Sequence, residues 1–133
     1  MSFFQELLES PPPTRLSRYT EWNGAFYLVF GVVTYVWPGV LQVLGAAPFQ
    51  GSEQGLVRLT GFTLIVIGWF YVMGARTRAN SFGLATVADR FVVPFFLLPL
   101  GLTGAVDPHI VVPFAIIDPL LAIGAIMIWR SKK

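Results

Sequence analysis

Four long apolar runs divide the chain, at residues 17–36, 56–75, 82–102 and 110–129, and polar or turn-forming residues separate them. Each run approaches the ~20 residues that a helix needs to cross ~30 Å of hydrocarbon. None shows the period-2 alternation of a membrane β-strand, and a helix satisfies its own backbone hydrogen bonds in lipid. The pattern predicts four transmembrane helices. Ahead of them, Phe3, Phe4, Leu7 and Leu8 share one face of a helix with Glu6 and Glu9 opposite, which predicts a short interfacial helix over 3–9. Pro11-Pro12-Pro13 stops it, because proline lacks the amide proton and disfavours helix in the residue before it.

Punctuation within the runs refines the picture. Thr14 or Ser17 can cap the first span, and Trp22 and Trp37 mark its two interfaces. Pro38 breaks the helix and suits the first position of a short surface turn carrying Val40, Leu41, Val43 and Leu44. Asn80 or Ser81 is placed to cap the third span, which contains Pro94 and Pro99; the fourth contains Pro113 and Pro119. Gly24 and Gly31 stand seven residues apart in the first span, as do Gly61, Gly68 and Ala75 in the second. Small residues at that interval let two helix backbones approach closely, so a packing seam is expected. The connections are short, which favours antiparallel neighbours and an all-α, up-down-up-down four-helix bundle.

Composition agrees with this reading and adds an orientation. The 133 residues form one domain by length, 55% of them hydrophobic and 12% charged, with a mean hydropathy of +0.68. A soluble fold of this size would lack the polar residues to cover itself. Seven of the nine basic residues, Arg15, Arg18, Arg76, Arg78, Arg130, Lys132 and Lys133, fall on one side of the predicted spans. The other side holds Arg58, Glu53, Asp107 and His109. By the positive-inside rule both termini are expected in the cytoplasm. The first residues carry Glu6 and Glu9 and no early basic residue, unlike a signal peptide, and the C-terminal lysines read as a cytoplasmic anchor.

The same inventory excludes several chemistries. Without cysteine there is no disulfide, thiolate zinc site or iron–sulfur cluster. His109 is the only histidine, in a predicted turn, and one imidazole makes no haem pair, zinc triad or di-iron set. No Gly-rich phosphate loop is present, and the basic residues sit at helix boundaries rather than in a nucleic-acid-binding patch. No cofactor, metal or nucleic-acid partner is expected.

What remains is a set of polar groups inside the spans. Asp89 and Arg90 lie about 10 to 12 Å and Asp118 about 16 Å from the cytoplasmic ends of their helices, at ~1.5 Å per residue, and Glu21 is one turn inside the first. Ala115, Asp118, Ala122 and Ala125 make a stripe of small residues, so Asp118 should face another helix. Arg90 is its expected partner, since a guanidinium fork suits a carboxylate. Adjacent helix positions diverge by about 100°, so Asp89 must face elsewhere. Glu21, Asp89, Arg90 and Asp118, with Asn23, Thr86 and Tyr71, form the candidate site. Two readings stay open: an ion-pair network that fixes helix register, or a polar pocket for a lipid head group, a quinone, a proton or an ion. Two acids and an arginine could also move protons on a lipophilic substrate, as in a membrane isomerase.

The order of features resembles the DoxX-like group of small four-helix bacterial membrane proteins. The resemblance covers about residues 15 to 130 and rests on several features. Trp22-Asn23-Gly24 opens the first span, followed by Pro38 with Leu41 and Leu44-Gly45. Arg58-Leu59-Thr60-Gly61 opens the second span, Arg90 lies in the third, and Asp118 with Ala122 in the fourth. The resemblance implies a bacterial inner-membrane protein, an accessory subunit of a quinone-linked or redox-associated complex rather than a catalyst. A non-catalytic membrane protein, self-associating or serving a larger complex, is therefore expected. The alternative is a binding or transport module for a lipophilic molecule around Arg90 and Asp118, its pocket opening from the cytoplasmic half.

Overall fold

The structure, a computed structural model, describes residues 2–131. It is all-helical, 78% of its residues lying in helices, with no strand among the described residues. The elements are α1 (Phe3–Leu8), α2 (Arg15–Val36), α3 (Val40–Val43), α4 (Glu53–Arg76), α5 (Asn80–Leu102) and α6 (Pro108–Arg130). Three of them, α4, α5 and α6, are long and apolar enough to cross a membrane. The 22-residue α2 matches them in length but is the least apolar of the four, because its first turns carry Arg15, Arg18, Glu21 and Asn23. Phe95, Phe96, Leu102 and Trp22 point outward with most of their surface exposed.

Local chemistry sets the element ends. Thr14 caps α2: its Oγ1 accepts from the Ser17 amide at 3.0 Å, and the Ser17 hydroxyl oxygen accepts from the Thr14 amide at 2.9 Å. This reciprocal pair satisfies two amides that a helix start leaves orphaned. Asp107 caps α6 through the His109 amide, which places His109 in the first turn of that helix rather than in a connecting turn. Two expectations about ends fail. The N-cap of α5 is Ala79, without a side-chain cap, because Asn80 is inside the helix and its Oδ1 is turned toward Thr14 Oγ1. Pro38 precedes the Gly39 cap of α3 instead of opening that helix, since the chain needs two residues beyond Trp37 to turn. Lys132 and Lys133, the end of the basic tail, lie outside the described residues.

Packing is organised in two helix pairs. The first is α2 against α4, where the glycines at intervals of seven meet: a Cβ on Gly24 would lie 2.8 Å from the Gly68 carbonyl oxygen, and one on Gly31 2.7 Å from that of Gly61. The reversed order of these contacts makes α2 and α4 antiparallel, in backbone-to-backbone contact that no larger residue would permit. The second pair is α5 against α6, joined through Gly101 beside Val111 at one end and Val87 beside Ala122 and Ala125 at the other. Few residues pass directly between α4 and α5. The two pairs are therefore tight within themselves and open toward each other along the α4–α5 side.

A polar knot ties off the end where α2 and α5 begin. Arg78, in the left-handed region at φ 59°, donates to Glu21 at 2.9 Å, to the Ser10 hydroxyl at 3.0 Å and to the Pro11 carbonyl at 3.1 Å. Arg76 reaches the Leu8 carbonyl and lies 3.9 Å from Glu21. The N-terminal segment is thereby strapped across the α4–α5 connection.

Candidate functional site

Where the two helix pairs face each other lies a cavity of about 360 Å³. Its buried floor is made by Tyr27 from α2, Leu64 and Tyr71 from α4, Arg90 from α5, and Val111 and Asp118 from α6. Thr60, Asp89 and Leu100 line it while being exposed, so it opens sideways between α4 and α5, the face that would meet lipid. From the level of Arg90 it runs along Leu64, Leu97 and Ile110 toward the end where α5 turns into α6. That direction leads away from the basic end, not toward it as the sequence suggests. A second cavity, of about 370 Å³, sits nearer the α5–α6 turn and shares Thr60, Val106 and Ile110 with the first.

Arg90 is the unusual member. It is 1% exposed, and none of its three guanidinium nitrogens has a hydrogen-bond partner. Its Cζ lies 5.0 Å from the centroid of the Tyr71 ring. A ring face offers a cation partial compensation but engages none of its N–H donors. A buried charge with unmade hydrogen bonds costs several kcal/mol and persists where something offsets it.

The carboxylates turn to tyrosines instead. The Tyr27 hydroxyl donates to Asp118 Oδ1, and the Tyr71 hydroxyl donates to Asp89 Oδ2 at 2.5 Å. The two tyrosine rings meet edge to face, 5.7 Å between centroids. Each acid thus reaches across to the α2–α4 pair, and the two links bridge the halves of the molecule. The expected Asp118–Arg90 ion pair is not formed. α6 turns the Ala115–Asp118–Ala122–Ala125 stripe so that Tyr27 of α2 reaches the carboxylate, while the arginine arm extends over Tyr71 of α4.

The structure brings Tyr71, Asp89, Arg90 and Asp118 to one cavity and leaves three expected members out of it. Glu21 belongs to the knot with Arg78 and Arg76. Thr86 is buried and donates to the Gly83 carbonyl of its own helix at 2.8 Å. Asn23 is buried on α2 with its Nδ2 unpartnered, away from the lining. Tyr27 was missed by the sequence reading, although Thr20, Asn23, Gly24, Tyr27, Gly31 and Thr34 form one buried stripe of small and polar residues. A tyrosine in such a stripe needs a partner for its hydroxyl, and that signal was present in the spacing.

No cluster of three or more metal-ligating side chains occurs among the described residues. What the arrangement offers is an apolar slot with one donor-rich cation at its inner end. Comparison with models of known protein families, with curated protein sequences and with solved structures finds no match to this chain.

Proposed function

We propose that the protein is a membrane-embedded binding module for a lipophilic small molecule, taken up between the α4 and α5 helices with its polar head against Arg90. The observation that carries this reading is Arg90 itself: buried, over Tyr71, with every nitrogen free, at the inner end of an apolar cavity of about 360 Å³. That volume falls within the range of small-molecule sites, which are mostly apolar with a few placed polar groups. A purely structural ion-pair network is less well supported, since the arginine meets no carboxylate.

In the membrane we place α2 alongside α4, α5 and α6 as the fourth span of an up-down-up-down bundle, with both termini in the cytoplasm. Its matching length and its glycine seam with α4 support this, and Arg15, Arg18, Arg76 and Arg78 at one end satisfy the positive-inside rule.

The test is thermal unfolding of the purified protein in a non-ionic detergent against a panel of lipophiles with and without polar heads. A ligand specific for the folded state raises the melting temperature progressively with its concentration. A panel that leaves the melting temperature unmoved contradicts the proposal.

A further inference from the structure

The floor of the cavity constrains which head group it can take, and the constraint comes from charge and donor count together. Arg90 presents up to five N–H donors, all unengaged. Both tyrosine hydroxyls at the floor already donate to carboxylates. A head group placed there is therefore asked for acceptor atoms. A head offering only donors would leave the guanidinium as it is and compete with the tyrosines for the acids.

Charge narrows the choice further. The cavity lining contains one basic side chain, Arg90, and two acidic ones, Asp89 and Asp118. With both acids ionised the set is negative; with one protonated it is neutral. While either acid is ionised it holds no surplus positive charge for an anion, and removing a carboxylate or phosphate from water without a countercharge is strongly unfavourable. Arginine commonly grips an acidic ligand through charge-assisted bonds, but here two carboxylates in the same lining offset its charge. Electroneutral acceptors meet both demands. A carbonyl oxygen accepts from the guanidinium plane and adds no charge.

Resting on the binding role proposed above, we infer that the cavity selects an uncharged, carbonyl-bearing lipophile, a ketone or an ester with an apolar tail, and discriminates against fatty carboxylates and alkyl phosphates. The carbonyl meets Arg90 beside the Tyr71 ring. The tail lies along Leu64, Leu97 and Ile110. Asp89 and Asp118 act as the specificity-determining groups: each accepts from a tyrosine, Tyr71 or Tyr27, and they repel anions that would otherwise bind Arg90.

The experiment compares a methyl ketone, a carboxylate, an alkyl phosphate and an alkane of matched chain length. Affinity is read from melting-temperature shifts and native mass spectrometry at a pH where the carboxylate is ionised. The ketone is expected to bind at least about tenfold more tightly than each of the other three. In the Asp89→Asn/Asp118→Asn double variant the carboxylate should gain about tenfold while the ketone changes little. If that variant does not fold, Asp89→Asn alone, at the exposed rim, should show the same gain in smaller measure. Carboxylate or phosphate binding as tightly as the ketone to the unmodified protein overturns the inference but leaves the binding role intact, and so does an alkane that binds equally well. Failure of all four compounds overturns the inference and the binding role together.

Discussion

The guanidinium of Arg90 lies 5.0 Å above the Tyr71 ring, while the hydroxyl of that same tyrosine donates to Asp89 at 2.5 Å. One aromatic side chain therefore steadies the cation with its face and engages the neighbouring acid with its edge. Asp89 and Arg90, adjacent in sequence, thus both engage Tyr71. The ring compensates the buried cation only in part and leaves its donors unengaged.

Substitutions at Tyr71 separate the two contacts. Tyr71→Phe keeps the ring and removes the hydroxyl, so ligand affinity should fall modestly; Tyr71→Leu removes both and should weaken binding much further. The cation–π contribution at a desolvated site is about 2 kcal/mol, enough for a difference of about thirtyfold between the two variants. Titration of each variant with one bound lipophile checks this.

Tyr27→Phe leaves the buried Asp118 without its hydroxyl donor. A loss of about 1–2 kcal/mol of stability is expected, the scale of interhelical hydrogen bonds in membranes and of unmet buried acceptors. Unfolding in detergent with a graded denaturant measures it.

The glycine seam makes a steric prediction with an internal control. Gly31→Leu and Gly68→Leu insert side chains where a Cβ would already lie within 2.7 Å of opposing backbone, and should cost at least about 3 kcal/mol, the upper end of typical overpacking. Gly55→Ala, on the same α4 helix with open space around it, should be neutral or stabilising by up to about 1 kcal/mol. Thermal unfolding of the three variants side by side tests the seam.

At the α3–α6 end, Asp107 accepts from the Ala47 amide at 2.7 Å, the His109 amide at 2.9 Å and the His109 ring at 2.9 Å, and these bonds lower its pKa from the ordinary carboxylate value. A depressed folded-state pKa adds stability above the unfolded carboxylate value near ~4, and that stability is lost as pH falls through the lower folded value. Asp107→Asn should therefore lower the melting temperature at neutral pH and flatten its decline below pH ~4. Melting temperatures recorded from neutral to strongly acidic pH in both proteins check the sign.

Much of this architecture was legible because membrane helices follow few rules. The lengths of the apolar runs located α2, α4, α5 and α6 to within a few residues, and the seven-residue spacing of Gly24, Gly31, Gly61 and Gly68 anticipated a seam that the structure closes. Ala115, Asp118, Ala122 and Ala125 share one face by their spacing, and all four are buried. The partners of the charges were not legible. Periodicity gives the face of one helix but not the rotation of its neighbour, so Asp118 could be assigned to Arg90 when Tyr27 was within reach. Glu21 was drawn into the candidate site by depth alone, whereas Arg78, held at φ 59° after α4, turns back to claim it. Such a turn depends on how a short connection closes, and no pattern of apolar positions encodes that.

The proposed role of Arg90, kept for a ligand and not for the fold, can be separated from a structural one in a single comparison. Unmodified protein and Arg90→Met, extracted gently from membranes, are examined by native mass spectrometry and by thermal unfolding. Arg90 is buried with its donors unmade, so an apolar side chain of similar length removes that desolvation cost and should not destabilise the fold. The unmodified protein is expected to carry a lipophilic mass, and Arg90→Met to lose it while melting at the same or a higher temperature. An unmodified protein without any bound lipophile, together with an Arg90→Met variant that melts at a lower temperature, would contradict it.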